Sequence, residues 1–240
     1  MKNKFCKISI GILSICMMFL ICLHFDVLKN SSNLKADVND ATNDSLLPDL
    51  NLYKCVVDSY NLYFDTTYDY THDFTESELS QIEQLSCDGH SSSSTLDKKI
   101  KNTTGIEKMT GLTSLDLENN NFKTIDLSKN VNLKEIILAS NGVTSLDLSK
   151  NTELENLIIN MNNLTSLDLS KNIKLKTLAV TKNALNKLDL SKNNLLEELY
   201  FFESFSTNIT IDSLSYELLT LPSGFDFEYG ITSYNNSSTK

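Results

Sequence analysis

Residues 154–172 read LENLIINMNNLTSLDLSKN, and this stretch decides how the chain is built. Leu154, Leu157 and Ile159 are apolar, Asn162 follows, and Leu164, Leu167 and Leu169 complete the pattern. The same order returns on both sides at a step of 21 residues. LDLSKN begins at Leu146, Leu167 and Leu188, and IDLSKN begins at Ile125. Leu112, Leu133, Leu154, Leu175 and Leu196 each open an L-x-x-[LI]-x-[LIVF] run. Asn120, Asn141, Asn162 and Asn183 follow the first four of these openings, and Ser204 replaces Asn after the fifth.

Self-similarity at a short fixed period is the mark of a stacked-coil architecture. In Glu135-Ile136-Ile137-Leu138-Ala139, alternate side chains of an extended segment face opposite ways, so Ile136 and Leu138 point inward. Glu135, Ile137 and Ala139 then point outward. One strand per coil stacks on the next at roughly 4.8 Å, so five strands span a parallel sheet about 20 Å across. The recurring Asn is expected to hydrogen-bond backbone groups in the turn after each strand, because a buried turn must satisfy them. A single coil cannot bury its own apolar residues, so only stacking closes the core. Leu146 and Leu148 fit an extended or irregular back wall, since 21 residues leave no room for a long helix. Asp126, Asp147, Asp168 and Asp189 form one column, and Lys129, Lys150, Lys171 and Lys192 another. The expected reading is a solvated back face with neighbouring opposite charges, not a row of catalytic carboxylates.

The L-x-x-L-x-L-x-x-N-x-L core resembles leucine-rich repeats. Its nested 21-residue form ending in LDLSKN is similar in style to internalin-like surface proteins of bacteria. The resemblance covers about residues 106–204. It implies a leucine-rich-repeat solenoid of the α/β class, mostly β. A parallel concave sheet, an extended or irregular back wall and a small helical N-terminal cap go with it. It also implies protein binding, often to host or cell-surface targets. No ligand residue of the family is matched in this sequence, so none is carried over.

Exposed cross-sections at the ends of a solenoid need covering. Leu50, Tyr53, Val57, Tyr60 and Phe64 step as one helix face, and Pro48 suits the start of that helix. Thr75-Glu-Ser-Glu78 reads as a capping box ahead of Leu79 and Ile82. Leu85-Ser-Cys87 reads as an early strand that places Cys87 on a core position. Between the helices lie Asp65, Asp69, Asp73, Glu76 and Glu78, oxygen ligands of the kind a calcium loop uses. The stretch lacks a central Gly and a continuous D-x-D-x-D, so a plain acidic connector is the expectation. Leu219, Leu221 and PSGF resemble a closing strand and turn, before a polar tail. The expected division is 1–36, signal peptide or N-terminal membrane anchor; 37–105, helical cap with acidic loop; 106–204, repeats; 205–240, C-terminal cap and loose tail.

Lys2, Lys4 and Lys7 precede an apolar run from Ile8 to Phe25. That pattern reads as a secretory signal or a short anchor, and both leave residues 37–240 outside the cytoplasm. Membrane contact is expected only through residues 8–25, if uncleaved. Three of the five Cys lie in this leader. Cys55 and Cys87 remain; they could pair in an oxidising compartment or serve as small buried hydrophobes.

The formal net charge is -10, with no Arg and no Trp. An acidic chain without the arginine fork offers no clustered basic face for phosphates, which argues against nucleic-acid binding. Beyond the leader the only His are His72 and His90, and no H-E-x-x-H, G-x-S-x-G or phosphate-binding glycine loop occurs. The expectation is therefore no catalysis and no cofactor. A binding role has positive support. The back-wall D-L-S-K-N is the same in four copies, whereas the outward strand positions differ from copy to copy. Their central column runs Asp116, Ile137, Ile158, Ala179, Tyr200. An apolar ladder on a solvent-facing sheet marks an interaction site, and aromatics suit interface anchors. The candidate partner-binding residues are Glu135, Ile137, Asn156, Ile158, Thr177, Ala179, Tyr200 and Phe202. For Tyr200 and Phe202, cover by the C-terminal cap is an equally open reading. The alternative for the whole chain is a membrane-anchored structural or envelope spacer without a specific ligand.

Overall fold

The computed structural model describes residues 46–89, 99–201 and 219–223. The apolar run 8–25, His90, the Ser run 91–94, Phe202 and Ser204 lie outside the described residues.

The repeat folds as stacked coils. Each contributes one three-residue strand: β1 (Gln84–Ser86), β2 (Ser114–Asp116), β3 (Glu135–Ile137), β4 (Asn156–Ile158), β5 (Thr177–Ala179) and, after a back-wall strand β6 (Leu188–Asp189), β7 (Glu198–Tyr200). The order is β1-β2-β3-β4-β5-β7 and every pairing is parallel. Among the described residues the sheet therefore has one strand more than the five expected from the repeats, because β1 pairs with β2 ahead of them. Register never slips. Leu85, Leu115, Ile136, Leu157, Leu178 and Leu199 stand partner to partner, each at most 2% exposed. A slip of one residue would turn that whole row to solvent, so burial of one face fixes the alignment. Leu112, Leu133, Leu154 and Leu175 are wholly buried, as are Leu164 and Leu185 behind the turns.

The strands are short because each coil must turn at once. Asn119, Ser140, Met161 and Lys182 recur at the turn with φ between 54° and 58°. L-residues resist that left-handed conformation, so each tight corner carries one strained residue. The next residue in each coil is the expected ladder asparagine. Asn162 Nδ2 donates to the carbonyls of Leu138 and Ile159 at 2.9 and 3.1 Å, and its Oδ1 accepts from Val143 N–H. Asn120 and Asn183 repeat this two-sided arrangement. Asn141 donates in the same way, but its Oδ1 has no hydrogen-bond partner.

A second asparagine ladder runs along the back wall. Asn130, Asn151, Asn172 and Asn193 close the D-L-S-K-N segments and are 0% exposed. Each Nδ2 bridges two carbonyls of the preceding coil. The Asp column is also more specific than a solvated face. Asp126, Asp147, Asp168 and Asp189 each accept at 2.9 Å from the backbone N–H of the Ser two residues on. That bond closes an Asx turn, and it holds all four carboxyls below their ordinary range. The neighbouring Lys of each segment is exposed. The back wall is extended without regular strand pairing until β6, which pairs in parallel with β8 (Leu219–Thr220). The expected closing strand thus extends the back wall, not the concave sheet, with Leu219 buried and Leu221 packed on the core.

Ahead of the repeats, α1 (Leu50–Phe64) starts at Asp49, whose Oδ1 accepts from Asn51 and Leu52 N–H. Its Oδ2 accepts from Lys101 and Asn102 N–H, so one carboxylate ties the helix to the first coil. The buried face is Leu52, Tyr53, Val56, Val57 and Tyr60. It is rotated from the expected stripe: Leu50 is only partly buried and Phe64 is 38% exposed. α2 (Glu76–Leu79) is a single turn closed by the expected capping box, with Leu79 and Ile82 buried after it. A disulfide joins Cys55 of α1 to Cys87 at the end of β1. Gly105 has φ 104° at the start of a 3-10 turn (Ile106–Lys108), where a Cβ would collide with the carbonyl oxygen of Leu46. Among the described residues no helix is long and apolar enough to cross a membrane.

Candidate functional site

The outward side chains form three columns on the concave side of the sheet. The central one runs Ser86, Asp116, Ile137, Ile158, Ala179, Tyr200, as the register dictates. On one side lie Gln84, Ser114, Glu135, Asn156, Thr177 and Glu198. Asp88, Glu118, Ala139, Asn160 and Thr181 follow the strands on the other side, at the places two residues further on. Of the expected contact residues, Glu135, Ile137, Asn156, Ile158, Thr177, Ala179 and Tyr200 therefore share one wall. Phe202 lies outside the described residues.

The wall is not uniformly open. Ile137 is 8% exposed and Ala179 6%, against an expectation of solvent-facing side chains. Strands of three residues on a curved sheet bring the columns close together, and each of these side chains is hemmed in by its row. Ile158 and Tyr200 are half-buried, as are Glu135, Asn156, Thr177 and Glu198. Among the described wall residues the accessible apolar surface thus belongs to Ile158 and Tyr200, while Ile137 acts as packing beneath it. Polar groups on the wall are held in place. Ser114 Oγ donates to Glu135 Oε2 at 2.9 Å, Thr181 N–H donates to Asn160 Oδ1 at 2.8 Å, and Tyr200 O–H donates to Glu198 Oε2 at 3.3 Å.

Asp116 departs from its column. It is 4% exposed, and its Oδ1 accepts from Glu118 N–H at 3.0 Å. Burial pushes its carboxyl up to about 6. The Glu118 N–H pulls the other way, and the charges of Asp88, Glu118 and Glu135 push further up. Strand alternation places Asp116 on the outer face without giving it a role. A lone acid in an otherwise uncharged column is the only signal the sequence offers for it.

The five acids between the cap helices are not gathered. Asp65 ends α1 with φ 52°, and Asp69 Oδ1 accepts from Thr71 N–H and Oγ1. Glu76 pairs with Lys108, and Asp73 is exposed. Glu78 closes the capping box and also accepts from Tyr68 O–H at 3.0 Å, with His72 Nε2 at 3.2 Å. Burial raises the Glu78 carboxyl, but hydrogen bonds from Thr75 and Tyr68 outweigh that and leave it lowered. Among the described residues no group of three or more His, Cys, Asp or Glu is placed to hold a metal ion. Tyr68 stacks on His72 with ring centroids 3.6 Å apart and on Tyr60 at 5.5 Å, so the loop is an aromatic plug over α1.

Parallel one-strand coils, an inward leucine row and asparagine ladders define a leucine-rich-repeat solenoid. The functional domain of InlJ from Listeria monocytogenes, described as including a cysteine ladder, is 31% identical with a TM-score of 0.56. The match covers 72% of this chain and 37% of that one. An internalin (inlF) from the same organism shares the fold at 23% identity and a TM-score of 0.50, over 66% of this chain and 52% of that one. The chain is an internalin-like leucine-rich-repeat protein, and it spans between about a third and a half of the length of these two. No family model and no curated protein matches it. Its ladders are made of asparagine, since the only Cys after residue 36 are Cys55 and Cys87.

Proposed function

We propose that this chain is an exported, non-catalytic scaffold that binds a protein partner through its concave wall. The observation that carries the reading is the contrast between the two faces. The back wall repeats Asp and Ser, which close its turns, and Asn, which bridges neighbouring coils. The concave columns change from coil to coil and leave Ile158 and Tyr200 half-exposed on a rigid sheet. Rigid, variable and partly apolar surfaces suit specific recognition. The likeness to internalins supports a binding role, and the positively flanked apolar run 8–25 supports export at the cell surface or beyond. In this reading residues 37–105 and 205–240 close the two ends of the array.

The test compares capture of surface proteins by the parent chain and two variants. Ile158→Ser/Tyr200→Ser alters the wall, and Lys150→Ser/Lys171→Ser alters the back. Loss of capture by the first alone supports the reading. Equal capture by both counts against it and favours a spacer role.

A further inference from the structure

We propose that the flank of the solenoid leading from the back wall into the strands is an interface with a second copy of this chain. The two copies pack antiparallel about a two-fold axis that passes between the coils of Glu155 and Lys176. The inference does not depend on what the concave wall binds.

The flank is built by the residues that follow each back-wall asparagine. Leu133, Leu154, Leu175 and Leu196 turn inward there. The residues after them form a row of alternating charge, Lys134, Glu155, Lys176 and Glu197, one from each coil. The residues before them form a second row, Asn132, Glu153, Lys174 and Leu195. Ion pairs join Glu155 to Lys176 and Glu153 to Lys174, so both rows run across adjacent coils in step. Lys134 and Glu197 end the first row. Both are exposed, and neither makes an ion pair among the described residues.

A row that alternates over four coils is its own complement when turned end over end. Lys134 then faces Glu197 of the second copy, and Glu155 faces its Lys176. In the second row Glu153 faces Lys174. Parallel copies, or a slide of one coil, would set like charges together, so the pattern selects one register. The inner charges are already bridged within each copy, and the end charges therefore carry the recognition.

The apolar surface obeys the same axis. Val131, Ile173 and Leu195 are 46%, 56% and 53% exposed on this flank. The positions equivalent to Leu195 hold Asn132, Glu153 and Lys174, so the coil does not require a leucine there. The operation that pairs Lys134 with Glu197 also sets Leu195 over Asn132. Asn132 lines an open hollow of about 580 Å³ with Phe64, Gln81, Glu83, Gly111 and Thr113. Phe64 is exposed beside it. Leu195 of each copy thus enters the hollow of the other and covers the Phe64 ring. Both concave walls open to the same side of the pair and stay free for partners.

The experiment mixes equal amounts of unlabelled and nitrogen-15-labelled full chain. Sedimentation velocity at about 100 µM is expected to show a dimer. A carbodiimide, which condenses a lysine amine with a carboxylate, is expected to join positions 134 and 197 in peptide pairs of mixed label. Lys134→Glu or Glu197→Lys alone is expected to weaken association at least about tenfold, because symmetry makes each like-charge contact twice. Lys134→Glu/Glu197→Lys together is expected to restore it, since the row is again self-complementary. Leu195→Ser should weaken it about tenfold. Circular dichroism checks that each variant is folded. A monomer at that concentration, cross-links of one label only, or association that survives both single reversals overturns the proposal. A folded double variant that fails to associate overturns it as well. Ile158→Ser/Tyr200→Ser is expected to dimerise like the parent; a monomer there would place the interface on the concave wall instead.

Discussion

Asn151 donates from Nδ2 to the backbone carbonyl of Asn130 at 2.8 Å, and Asn130 holds the same place one coil earlier. Asn172 repeats the bond on Asn151, and Asn193 repeats it on Asn172. The chain's own backbone thus becomes the acceptor for the next coil, and the ladder makes equal coil length a condition of the fold. Each of these side chains uses Nδ2 twice, while Oδ1 has no partner. Asn172→Ala is expected to cost about 2–4 kcal/mol, because two buried carbonyls lose their donors. Asn172→Asp keeps the shape but sets a negative charge among carbonyls, so it should cost more than Ala at neutral pH. Urea unfolding of both variants measures the order; an Asp variant as stable as Ala would contradict it.

Asp116 makes stability fall with rising pH in one window. Its carboxyl is raised to about 6 in the folded chain, whereas an unfolded Asp titrates at about 3.9. The folded state therefore holds the proton more tightly between these values, and stability declines as pH rises from about 4 to about 6. The loss is about 2–3 kcal/mol in total. Asp126, Asp147, Asp168 and Asp189 are lowered and act oppositely. Their contribution is present above the unfolded value and is lost as pH falls through their folded values. Asp116→Asn should remove the decline between pH 4 and 6 and raise stability at pH 7. Denaturant midpoints across that range show it directly.

Met161 sits at φ 56° with its side chain 52% exposed. Glycine at this corner relieves the left-handed strain and gives up little packing, though it adds freedom to the unfolded chain. Met161→Gly is expected to stabilise by about 0.5–1 kcal/mol, read as a rise in Tm. Destabilisation would mean that the corner is not strained.

The disulfide between Cys55 and Cys87 spans 32 residues of sequence and ties α1 to β1. A closed loop of that size stabilises by about 3–4 kcal/mol in the chain-entropy account. Reduction should open amide exchange in α1 while β3 to β5 stay protected, because the inner coils have their own ladders. Uniform loss of protection along the sheet would show that the cap and array unfold as one.

The architecture is legible in the sequence because its signal is periodic. Leu133, Leu154 and Leu175 carry the period, and the alternation through Ile136, Ile137 and Leu138 tells the inward face from the outward one. The turn asparagines are legible for the same reason. Asn130 and Asn172 escape a sequence reading because D-L-S-K-N resembles surface filler. Only the fold shows that the last residue turns inward to the previous coil. Asp49 escapes it because its second pair of donors lies about 50 residues away at Lys101 and Asn102, beyond any local pattern. The burial of Ile137 is also invisible, since alternation gives the face of a side chain but not how closely its neighbours crowd it.

The proposed function requires partners to dock on the variable concave wall. A photo-reactive benzophenone side chain placed at Asn156 on the wall, or at Lys171 on the back, tests it at natural surface concentrations. A specific cross-linked partner is expected from Asn156 that Ile158→Ser/Tyr200→Ser abolishes, and none from Lys171. A partner captured from Lys171, with Asn156 silent, would contradict it.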